Sequence, residues 1–366
     1  MTALGNNLDT LWDRLLLGES GIKPVRRFPV IAYNSKIAAC IEDLEPTGKI
    51  SMIYEMLDRL FITMGPVPSD SFLITASTKA GIDNLERSAR GLPADIRDCL
   101  FSHVSDHISS RFSLTSGNIN INTTCASSAI ALARGASLIE LGRADSVLVC
   151  CFDLVAEYVF SGFCALQAMS PVPCMPFDRN RKGMNIGEGA AALLLMSPER
   201  AKKEGRSSLG ALVGWSVSND AFNITAPDMD GHGLTLAIRK ALQRSGIPED
   251  AVSAICAHGT GTVYNDSMEL TAFRKVFGNR KLPVFSVKGA IGHTMGAAGG
   301  IEAALCLKSL ETGIIPPTAG FMEPDTGAEG LVSNEPVINE CDYMLSTNSG
   351  FGGVNAAIIL GKGIRS

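Results

Sequence analysis

The sequence predicts an α/β fold in which largely parallel sheets are covered by helices on both faces. Short apolar runs, most of them rich in β-branched residues, recur along the chain, and helix-length segments separate them. Such runs are typical of strands buried on both faces, and their alternation with helices is typical of parallel sheets. The 366 residues suffice for two ordinary domains or one large unit.

Eight strands and several helices are predicted from these runs. The predicted strands span residues 72–76, 119–123, 146–151, 190–196, 209–216, 254–257, 284–287 and 356–360. The clearest predicted helices span residues 9–17, 128–141, 233–245 and 297–312. A short helix beginning at Ser197-Pro198 and a polar connector over 202–208 place the midpoint near residue 206. We therefore divide the chain into residues 1–206 and 207–366.

The two halves are similar in layout. In the first half, strand 119–123 leads into Cys125 and then into a helix of small residues. In the second half, strand 284–287 leads into Lys288 and His293 and then into another helix of small residues. This pattern indicates a weak internal duplication. The small residues predict that both helices are buried and closely approached by backbone.

Composition excludes several classes of protein. The net charge is −5 without a basic block, which excludes an electrostatic nucleic-acid binder. No apolar run reaches the ~18 residues of a membrane span, and the N-terminus lacks the pattern of a secretory signal. The ten cysteines are scattered and form no CxxC pair, which predicts reduced thiols in a cytoplasmic protein. His and Cys also do not cluster at the sequence spacing of a metal site, so we expect none.

Cys125 lies where a predicted strand stops and a helix of small residues begins. A thiol at a helix N-terminus faces unpaired N–H groups and the positive end of the helix dipole. Both favour the thiolate, which is the nucleophilic form. Cys125 is therefore a candidate nucleophile, and a small buried core cysteine is the alternative interpretation.

Two of the five histidines lie in glycine-flanked segments at the ends of predicted strands. His258 follows an apolar strand and precedes Gly-Thr-Gly-Thr, and His293 stands at a strand-to-helix junction. A lone His after a strand is more often structural, but the second site of the same kind makes both candidates for chemistry. We interpret the other three as structural, because His103 and His107 share one face of a predicted helix and His232 lies in a polar loop.

Further candidates surround His293. Lys288 precedes it by five residues and would supply positive potential in a buried site. Glu302, on the following helix, is its candidate partner. A Gly-rich turn over 348–355 could offer N–H groups to an oxyanion. It feeds straight into strand 356–360, so it lacks the context of a dinucleotide loop.

In this order, the motifs resemble the condensing β-ketoacyl-acyl carrier protein (ACP) synthases of the thiolase superfamily. The chain shows Cys125, then His258-Gly-Thr-Gly-Thr, then Lys288 and His293 with Gly-Ala-Ala-Gly, then Gly-Phe-Gly-Gly. It is similar to the elongating, Cys-His-His type, since the initiating type has Asn in place of the second His. The resemblance covers essentially the whole chain. It implies a thiolase-like fold with two similar halves in five αβαβα layers.

The family's activity is the decarboxylative Claisen condensation of an enzyme-bound acyl group with malonyl-ACP, in fatty-acid, polyketide or polyene elongation. By this resemblance Cys125 accepts the acyl group. His258 and His293 would bind the malonyl thioester carbonyl and assist decarboxylation. Lys288, together with Glu302, would hold His293 and set the local electrostatics.

The resemblance also implies how substrates and partners bind. Backbone N–H groups of Cys125 and Phe351 would form the oxyanion hole, and Phe351 would gate access of the extender. Thr225, Thr260 and Thr262 would contact the phosphopantetheine arm, which arrives on the ACP, so the chain needs no cofactor of its own. We expect a homodimer joined through strand 119–123, with a heterodimer of two ketosynthase-like subunits left open.

The chain departs from the family pattern in four places. The usual Asn-Ser-Phe-Gly-Phe-Gly-Gly is one residue shorter here, which alters the gate beside Phe351. The segments 170–176 and about 77–111 are short, and they line the acyl tunnel and dimer face in the family. Gln167, on the helix expected after Gly162, stands where relatives often have a basic residue for the carrier. Members usually open with a strand just before the segment matching residues 2–6, and this sequence begins almost at that point, so either the start is placed late or the fold compensates for the missing strand.

Two other functions compete with this interpretation. A catalytically silent thiolase-fold subunit would shape chain length for an active partner, but such subunits lack the nucleophilic Cys. The other alternative, a Cys-His hydrolase, is disfavoured because two His and a Lys accompany the Cys. The acyl chain length and the pathway stay open.

Overall fold

The molecule is built around two large sheets, and helices alternate with the strands of these sheets along the chain. The structure is a computed structural model that describes residues 1–363. Its helices are α1 (Leu8–Leu16), α2 (Met52–Ile62), α3 (Ile82–Ala89), α4 (Phe101–Phe112), α5 (Ser127–Glu140), α6 (Glu157–Ala165), α7 (Pro198–Lys203), α8 (His232–Ser245), α9 (Val263–Phe277), α10 (Lys288–Ile291) and α11 (Ala298–Thr312). Its strands are β1 (Lys23–Pro24), β2 (Ile37–Ala38), β3 (Phe72–Ala76), β4 (Asn118–Ile121), β5 (Ser146–Asp153), β6 (Gly189–Met196), β7 (Gly210–Asn219), β8 (Val252–Cys256), β9 (Val284–Phe285), β10 (Ile314–Ile315), β11 (Val337–Ile338), β12 (Tyr343–Gly350) and β13 (Val354–Lys362).

The two large sheets repeat one pattern of strand pairing. The first has the order β4-β3-β5-β6, and the second has the order β9-β8-β12-β13-β7. In the first sheet β3 is parallel to β4 and β5, and β5 is antiparallel to β6. In the second, β8 is parallel to β9 and β12, and β12 is antiparallel to β13. The duplication that the sequence indicates is therefore visible in the strand order.

The sheets differ at one edge. In the second sheet β7 pairs with β13, whereas at the equivalent edge of the first sheet β6 is met only by Met1 and Thr2. Thr2 bridges Gly189, and the Ala190 N–H donates to the Met1 carbonyl oxygen at 2.9 Å. The first sheet is thus one strand short of the second among the described residues, as expected from the resemblance.

Helices occupy three layers around the two sheets. α5 and α11 lie between the sheets and contact both of them. The outer face of the first sheet is covered by α2 and α4, and that of the second by α8 and α9. The predicted αβαβα arrangement is therefore confirmed. None of the helices in residues 1–363 is long and apolar enough to cross a membrane.

Small residues let the two central helices approach closely, as the sequence predicts. A Cβ atom added to Gly299 of α11 would lie 2.9 Å from the backbone N of Ala129 in α5. One added to Gly300 would lie 2.2 Å from the Cys151 sulfur in β5. Larger residues would push the central layer apart, because packed interiors leave no such space.

The prediction of a turn over residues 348–355 is wrong for its first residues, which belong to a strand. Residues 343–350 form β12, a central strand of the second sheet, and the turn is confined to 351–353. Gly352 and Gly353 have φ values of 86° and 75°, which makes the tight connection to β13 possible. The other predicted strands and helices match the observed bounds within about three residues. The sequence prediction also places Gln167 on a helix, but α6 ends at Ala165.

Candidate active site

Cys125 lies in a strained turn between β4 and α5. The preceding Thr124 has φ of 53°, a value that β-branched residues rarely adopt. Its hydroxyl donates to the Phe351 carbonyl oxygen at 3.2 Å, which ties the turn to the β12–β13 hairpin of the other half. Such a conformation costs ~1–3 kcal/mol and persists only where the surroundings enforce it. The turn therefore fixes the position of the Cys125 thiol.

Three of the candidates from distant parts of the sequence meet at this turn. The Cys125 sulfur and one ring nitrogen each of His258 and His293 all lie within 4.8 Å of one another. The two imidazole rings are 5.1 Å apart between centroids and are nearly perpendicular at 85°. All three side chains are buried. A nucleophile and two polar rings thus share one enclosed space.

Both imidazoles are held neutral with the proton on Nε2. Burial, together with the positive charge of Lys288, keeps the pKa of His258 and of His293 well below the usual value. The Met295 backbone N–H donates to His293 Nδ1 at 3.3 Å. The Asn348 amide nitrogen faces His258 Nδ1 at 3.5 Å, and an NH₂ group can only donate. Each ring therefore keeps an Nε2–H as a donor for a substrate oxygen.

A buried ion pair lies behind the rings. Lys288 Nζ donates to Glu302 at 2.5 Å, and the Asn348 amide nitrogen donates to the other Glu302 oxygen at 2.7 Å. Burial pulls the pKa of Lys288 down, but Glu302 outweighs this and raises it, so the ammonium stays charged. Asn348 connects this pair to His258 and was not predicted as a site residue. The sequence analysis assigns the motif that contains Asn348 to a turn, and so it misses that Asn348 lies in a strand.

Glu269 is a second residue that the sequence analysis missed. It lies on α9, fully buried, and accepts hydrogen bonds from the backbone N–H groups of His258 at 2.8 Å and Gly259 at 2.7 Å. The Thr347 hydroxyl donates to the same carboxylate at 3.0 Å. Burial raises the pKa of Glu269 to about 7, although the two N–H donors oppose this. Glu269 therefore fixes the loop that carries His258.

The thiol of Cys125 is more weakly acidic than the sequence predicts. α5 begins at Ser127 with Ala126 as its N-cap, so Cys125 lies before the first helical turn. Burial raises the pKa of Cys125 to about 12, and the nearby Lys288 charge only partly opposes this. The expectation of a lowered pKa is wrong because desolvation outweighs the positive charges near the thiol. The resting thiol is protonated.

The same three side chains have the composition of a thiolate–imidazole metal site, which sequence spacing does not reveal. A metal-bound His almost always donates its other ring N–H to an acceptor. Here both Nδ1 atoms face donors, Met295 N–H and the Asn348 amide. The hydrogen-bond partners thus suit two neutral donors rather than two zinc ligands.

Phe351 lies in the hairpin turn above Cys125. A Cβ atom on the preceding Gly350 would be 3.2 Å from the Cys125 backbone N, so this hairpin borders the nucleophile directly. The Phe351 ring stacks at a tilt of 39° on Phe163 of α6, with 5.9 Å between centroids. A ring in this place can cover the space above the thiol, as the resemblance implies.

The threonines predicted to bind the pantetheine arm occupy two loops. Thr260 and Thr262 follow His258, with their hydroxyl oxygens 2.9 Å apart. Thr225 lies in the loop between β7 and α8, where its backbone N–H donates to Asn223. The carbonyl oxygen of Ile224 accepts a bond of 2.7 Å from the Gly352 N–H. The Thr225 loop is thereby joined to the hairpin that carries Phe351.

The other three histidines contact nearby carboxylates, as expected for structural residues. His103 contacts Asp98 at 3.2 Å, and His107 contacts Asp58 at 3.0 Å. His232 contacts Asp228 at 2.7 Å and is the first residue of α8 rather than part of a polar loop.

Replacing Lys288 with Met is expected to lower the free energy of unfolding by ~3–5 kcal/mol, because Glu302 would keep a buried charge without a partner. Both side chains of this pair are only 1% exposed. Urea or thermal denaturation measures the change. The matched control is Lys308→Met, which breaks a more exposed pair with Asp9 and should cost ~1 kcal/mol or less. Equal losses in the two variants would contradict the assignment of a coupled buried pair.

Comparisons with known proteins agree with this geometry. The N-terminal domain of beta-ketoacyl synthase matches residues 71–201, and the C-terminal domain matches residues 209–322. The chain is 30% identical to 3-oxoacyl-[acyl-carrier-protein] synthase I, chloroplastic, of Hordeum vulgare, over 98% of this chain and 86% of that one. It is 28% identical to 3-oxoacyl-[acyl-carrier-protein] synthase 2 of Coxiella burnetii, over 99% of this chain and 96% of that one.

Solved structures show the same relationship. The ishigamide ketosynthase/chain length factor superposes with a TM-score of 0.89 at 28% identity, covering 99% of this chain and 96% of that one. The ketosynthase ApeO in complex with its chain length factor ApeC, from Xenorhabdus doucetiae, gives a TM-score of 0.84 at 26% identity, covering 99% and 96%. With both halves matched and its fold shared over nearly its whole length, the chain belongs to the β-ketoacyl synthase family.

Proposed function

We propose that this protein catalyses the decarboxylative Claisen condensation of an acyl group carried on Cys125 with malonyl-ACP, giving β-ketoacyl-ACP. The observation that carries the proposal is the enclosed group of one thiol and two neutral imidazoles, with the sulfur and one nitrogen of each ring within 4.8 Å of one another. A covalent acyl carrier and a binding site for a developing enolate oxygen need these two kinds of group side by side.

In the first step, the Cys125 sulfur attacks the carbonyl carbon of an acyl thioester on the carrier. The new sulfur–carbon bond forms as the bond to the carrier's sulfur breaks, and the thiol proton passes to the departing thiolate. Because burial raises the pKa of Cys125, the attacking thiolate is not present at rest and forms only as the thiol gives up its proton. Backbone N–H groups of Cys125 and Phe351 would hold the oxyanion of the tetrahedral intermediate.

In the second step, malonyl-ACP loses carbon dioxide, and the electron pair of the broken carbon–carbon bond forms a thioester enolate. The Nε2–H groups of His258 and His293 would donate to its oxygen. The enolate carbon then attacks the acyl carbonyl on Cys125, and the tetrahedral intermediate expels the Cys125 sulfur, which regains a proton. Lys288 and Glu302 act behind the rings, through Asn348, on the electrostatics of the site.

The chain's own side chains would perform this chemistry, and the phosphopantetheine arm would arrive on the ACP. Thr260 and Thr262 follow His258 directly, and the Thr225 loop is joined to the Phe351 hairpin. These threonines would line the passage of the arm toward Cys125. The relatives named above are synthases of acyl-carrier-protein substrates, which supports the ACP as the partner here.

A second candidate is a partner subunit that shapes chain length in a heterodimeric ketosynthase. Two of the similar solved structures combine a ketosynthase with a chain length factor. The clustering of Cys125 with His258 and His293 favours the active enzyme, because a silent subunit has no use for the nucleophile. One equivalent of iodoacetamide should label Cys125 and abolish condensation. Absence of a reactive thiol at Cys125 would favour the silent subunit.

The experiment that tests the function is mass spectrometry of ACP-bound products after incubation with malonyl-ACP and a series of acyl primers. The proposal predicts a product two carbons longer than the primer with a keto group at the β position. The preferred primer length would also distinguish fatty-acid from specialised elongation. Absence of any extended product with every primer, while the protein is folded, would contradict it.

We expect the protein to be a dimer joined through β4. This strand lies at the edge of the first sheet and pairs only with β3 among the described residues, so its outer backbone groups are available. Light scattering should give about twice the chain mass of 38.6 kDa, for a homodimer joined by a two-fold axis. A monomer at micromolar concentration with full activity would contradict this expectation.

We also infer a reducing compartment, the cytoplasm. All ten cysteines are free thiols in the structure, and most of them are buried. Buried reduced thiols are typical of proteins that do not encounter an oxidising environment.

A further inference from the structure

A buried carboxylate at the end of β5 collects hydrogen-bond donors from both halves of the molecule. Asp153 is fully buried and accepts bonds from the Ser77 hydroxyl at 2.9 Å and the Thr78 hydroxyl at 2.8 Å. It also accepts from the backbone N–H groups of Thr78 at 3.0 Å and Gly296 at 2.7 Å. The last of these bonds comes from the loop that carries His293, in the second half.

The chain from His293 to Gly296 is a strained turn held at both ends. At one end, the His293 N–H donates to the Asn185 carbonyl oxygen at 2.7 Å. In the middle, Met295 has φ of 52°, in the left-handed region that side chains rarely adopt. At the other end, the Gly296 N–H binds Asp153, and a Cβ atom on Gly296 would lie 2.7 Å from that carboxylate oxygen.

This turn places a backbone N–H donor beside the His293 ring. The Met295 N–H lies 3.3 Å from His293 Nδ1, and the left-handed backbone at Met295 then carries the chain directly to Gly296, whose N–H binds Asp153. Loss of the Gly296 anchor would let this strained turn rearrange and carry the Met295 N–H away from the ring. His293 Nδ1 would then be free to carry the proton, and Nε2 would become an acceptor facing the substrate.

We propose that Asp153 is a positioning residue for the condensation: by binding the Gly296 N–H, it holds the turn that keeps His293 in the Nε2–H form. The effect on catalysis rests on the function proposed above, whereas the effect on the tautomer does not.

The site requires an acceptor-only group at this position. The groups that surround the carboxylate are the hydroxyl and N–H of Thr78, the hydroxyl of Ser77 and the N–H of Gly296, and all of them donate. An ionised carboxylate has lone pairs on both oxygens for these donors. In Asp153→Asn the amide has one oxygen, and its NH₂ group would face at least one donor. In either orientation the NH₂ group would face the Thr78 N–H, which contacts both oxygens of Asp153, so the isosteric change displaces the side chain from its hydrogen bonds while it keeps the volume.

The test compares Asp153→Asn with the matched control Asp83→Asn. Asp83 is also a buried aspartate that accepts a serine hydroxyl and a backbone N–H, from Ser51 and Met52 on another part of the first half. Long-range ¹H–¹⁵N spectra of protein labelled at histidine report which ring nitrogen carries the proton, with His293 assigned from the loss of its signals in His293→Ala. We expect Nε2–H in the wild type and the control, and a mixture of both tautomers in Asp153→Asn.

Two rates are measured in each variant: the release of carbon dioxide from malonyl-ACP and the alkylation of Cys125. In Asp153→Asn the release should fall at least ~10-fold, as expected when a catalytic histidine loses its tautomer. Alkylation of Cys125 should stay near the wild-type rate, which a general loss of structure would not allow. A folded Asp153→Asn protein that keeps the wild-type tautomer of His293 would overturn the proposal, and so would a wild type with Nδ1–H.

A second variant covers the case in which Asp153→Asn does not fold. Gly296→Ala places a methyl group against the carboxylate and separates it from the Gly296 N–H, while Ser77 and Thr78 still bind Asp153. It should give the same mixture of His293 tautomers, and an unchanged Nε2–H form would overturn the proposal. If the wild type releases no carbon dioxide from malonyl-ACP, the proposed function fails, and the tautomer spectra still decide the role of Asp153.

Discussion

Replacing Cys125 with Ser is expected to lower the condensation rate by ~10³-fold or more while the fold persists. The serine hydroxyl has a pKa far above neutrality, so it needs an adjacent base to become a nucleophile. The structure provides none, because both nearby imidazoles carry their proton on Nε2 and turn Nδ1 toward other donors. A thiol gives up its proton far more readily than an alcohol does, so Cys125 can reach the nucleophilic anion where a serine cannot.

The measurement is the rate of β-ketoacyl-ACP formation together with the mass of the intact protein after incubation with acyl-ACP. Wild-type protein should gain the mass of one acyl group at Cys125, and Cys125→Ser should gain none. Cys99→Ser is the matched control, because its sulfur only donates to the Gly81 carbonyl oxygen at 3.4 Å, as a hydroxyl also can. Near-normal condensation by Cys125→Ser would refute the covalent mechanism.

His258→Ala and His293→Ala are each expected to reduce decarboxylation of malonyl-ACP by ~10²–10³-fold, which is the usual cost of losing one donor to an oxyanion. Both rings are neutral at pH 7 because burial and Lys288 lower their pKa values, so each contributes one N–H to the enolate oxygen. Acyl loading of Cys125 should survive at least in part, because it depends on the thiol and the backbone N–H groups.

Carbon dioxide release and acyl loading are measured on the same preparations. His103→Ala serves as the control, because His103 lies on α4 and contacts Asp98 and Tyr54. It should leave both activities close to wild type. Carbon dioxide release at the wild-type rate by either site variant would show that this His does not stabilise the enolate.

The sequence was sufficient to predict the layers of the fold and the three residues that meet at the candidate site. Cys125, His258 and His293 each stand where a strand or short helix ends beside small residues, and such positions leave a recognisable local pattern. The central helices were equally clear, because close packing of α5 on α11 requires small residues at Gly299 and its neighbours.

The residues that support the site leave no such pattern. Ser346, Thr347 and Asn348 are completely buried in β12, so this central strand does not appear as an apolar run. Their polarity is explained by tertiary contacts, since Thr347 binds Glu269 and Asn348 binds Glu302. Sequence periodicity cannot distinguish a strand of this kind from a polar turn.

The direction of the pKa shift of Cys125 is also wrong in the sequence prediction, for a related reason. The local sequence shows a helix beginning after the thiol, but it does not show how completely the two halves close over it. Burial raises the pKa of the thiol more than the nearby Lys288 charge lowers it. Desolvation depends on the whole fold, whereas the helix dipole can be anticipated from a few residues.

The most direct test of the central claim, that one site holds an acyl-carrying thiol beside an independent enolate-binding pair, is the Cys125→Gln variant. Its amide carbonyl can take the place of the acyl carbonyl near the backbone N–H groups of Cys125 and Phe351, while His258 and His293 are unchanged. Carbon dioxide release and product mass are measured on the same sample with malonyl-ACP. We predict that this variant decarboxylates malonyl-ACP and forms no β-ketoacyl product. A folded variant that makes β-ketoacyl-ACP, or one that neither binds nor decarboxylates malonyl-ACP, would contradict this division of roles.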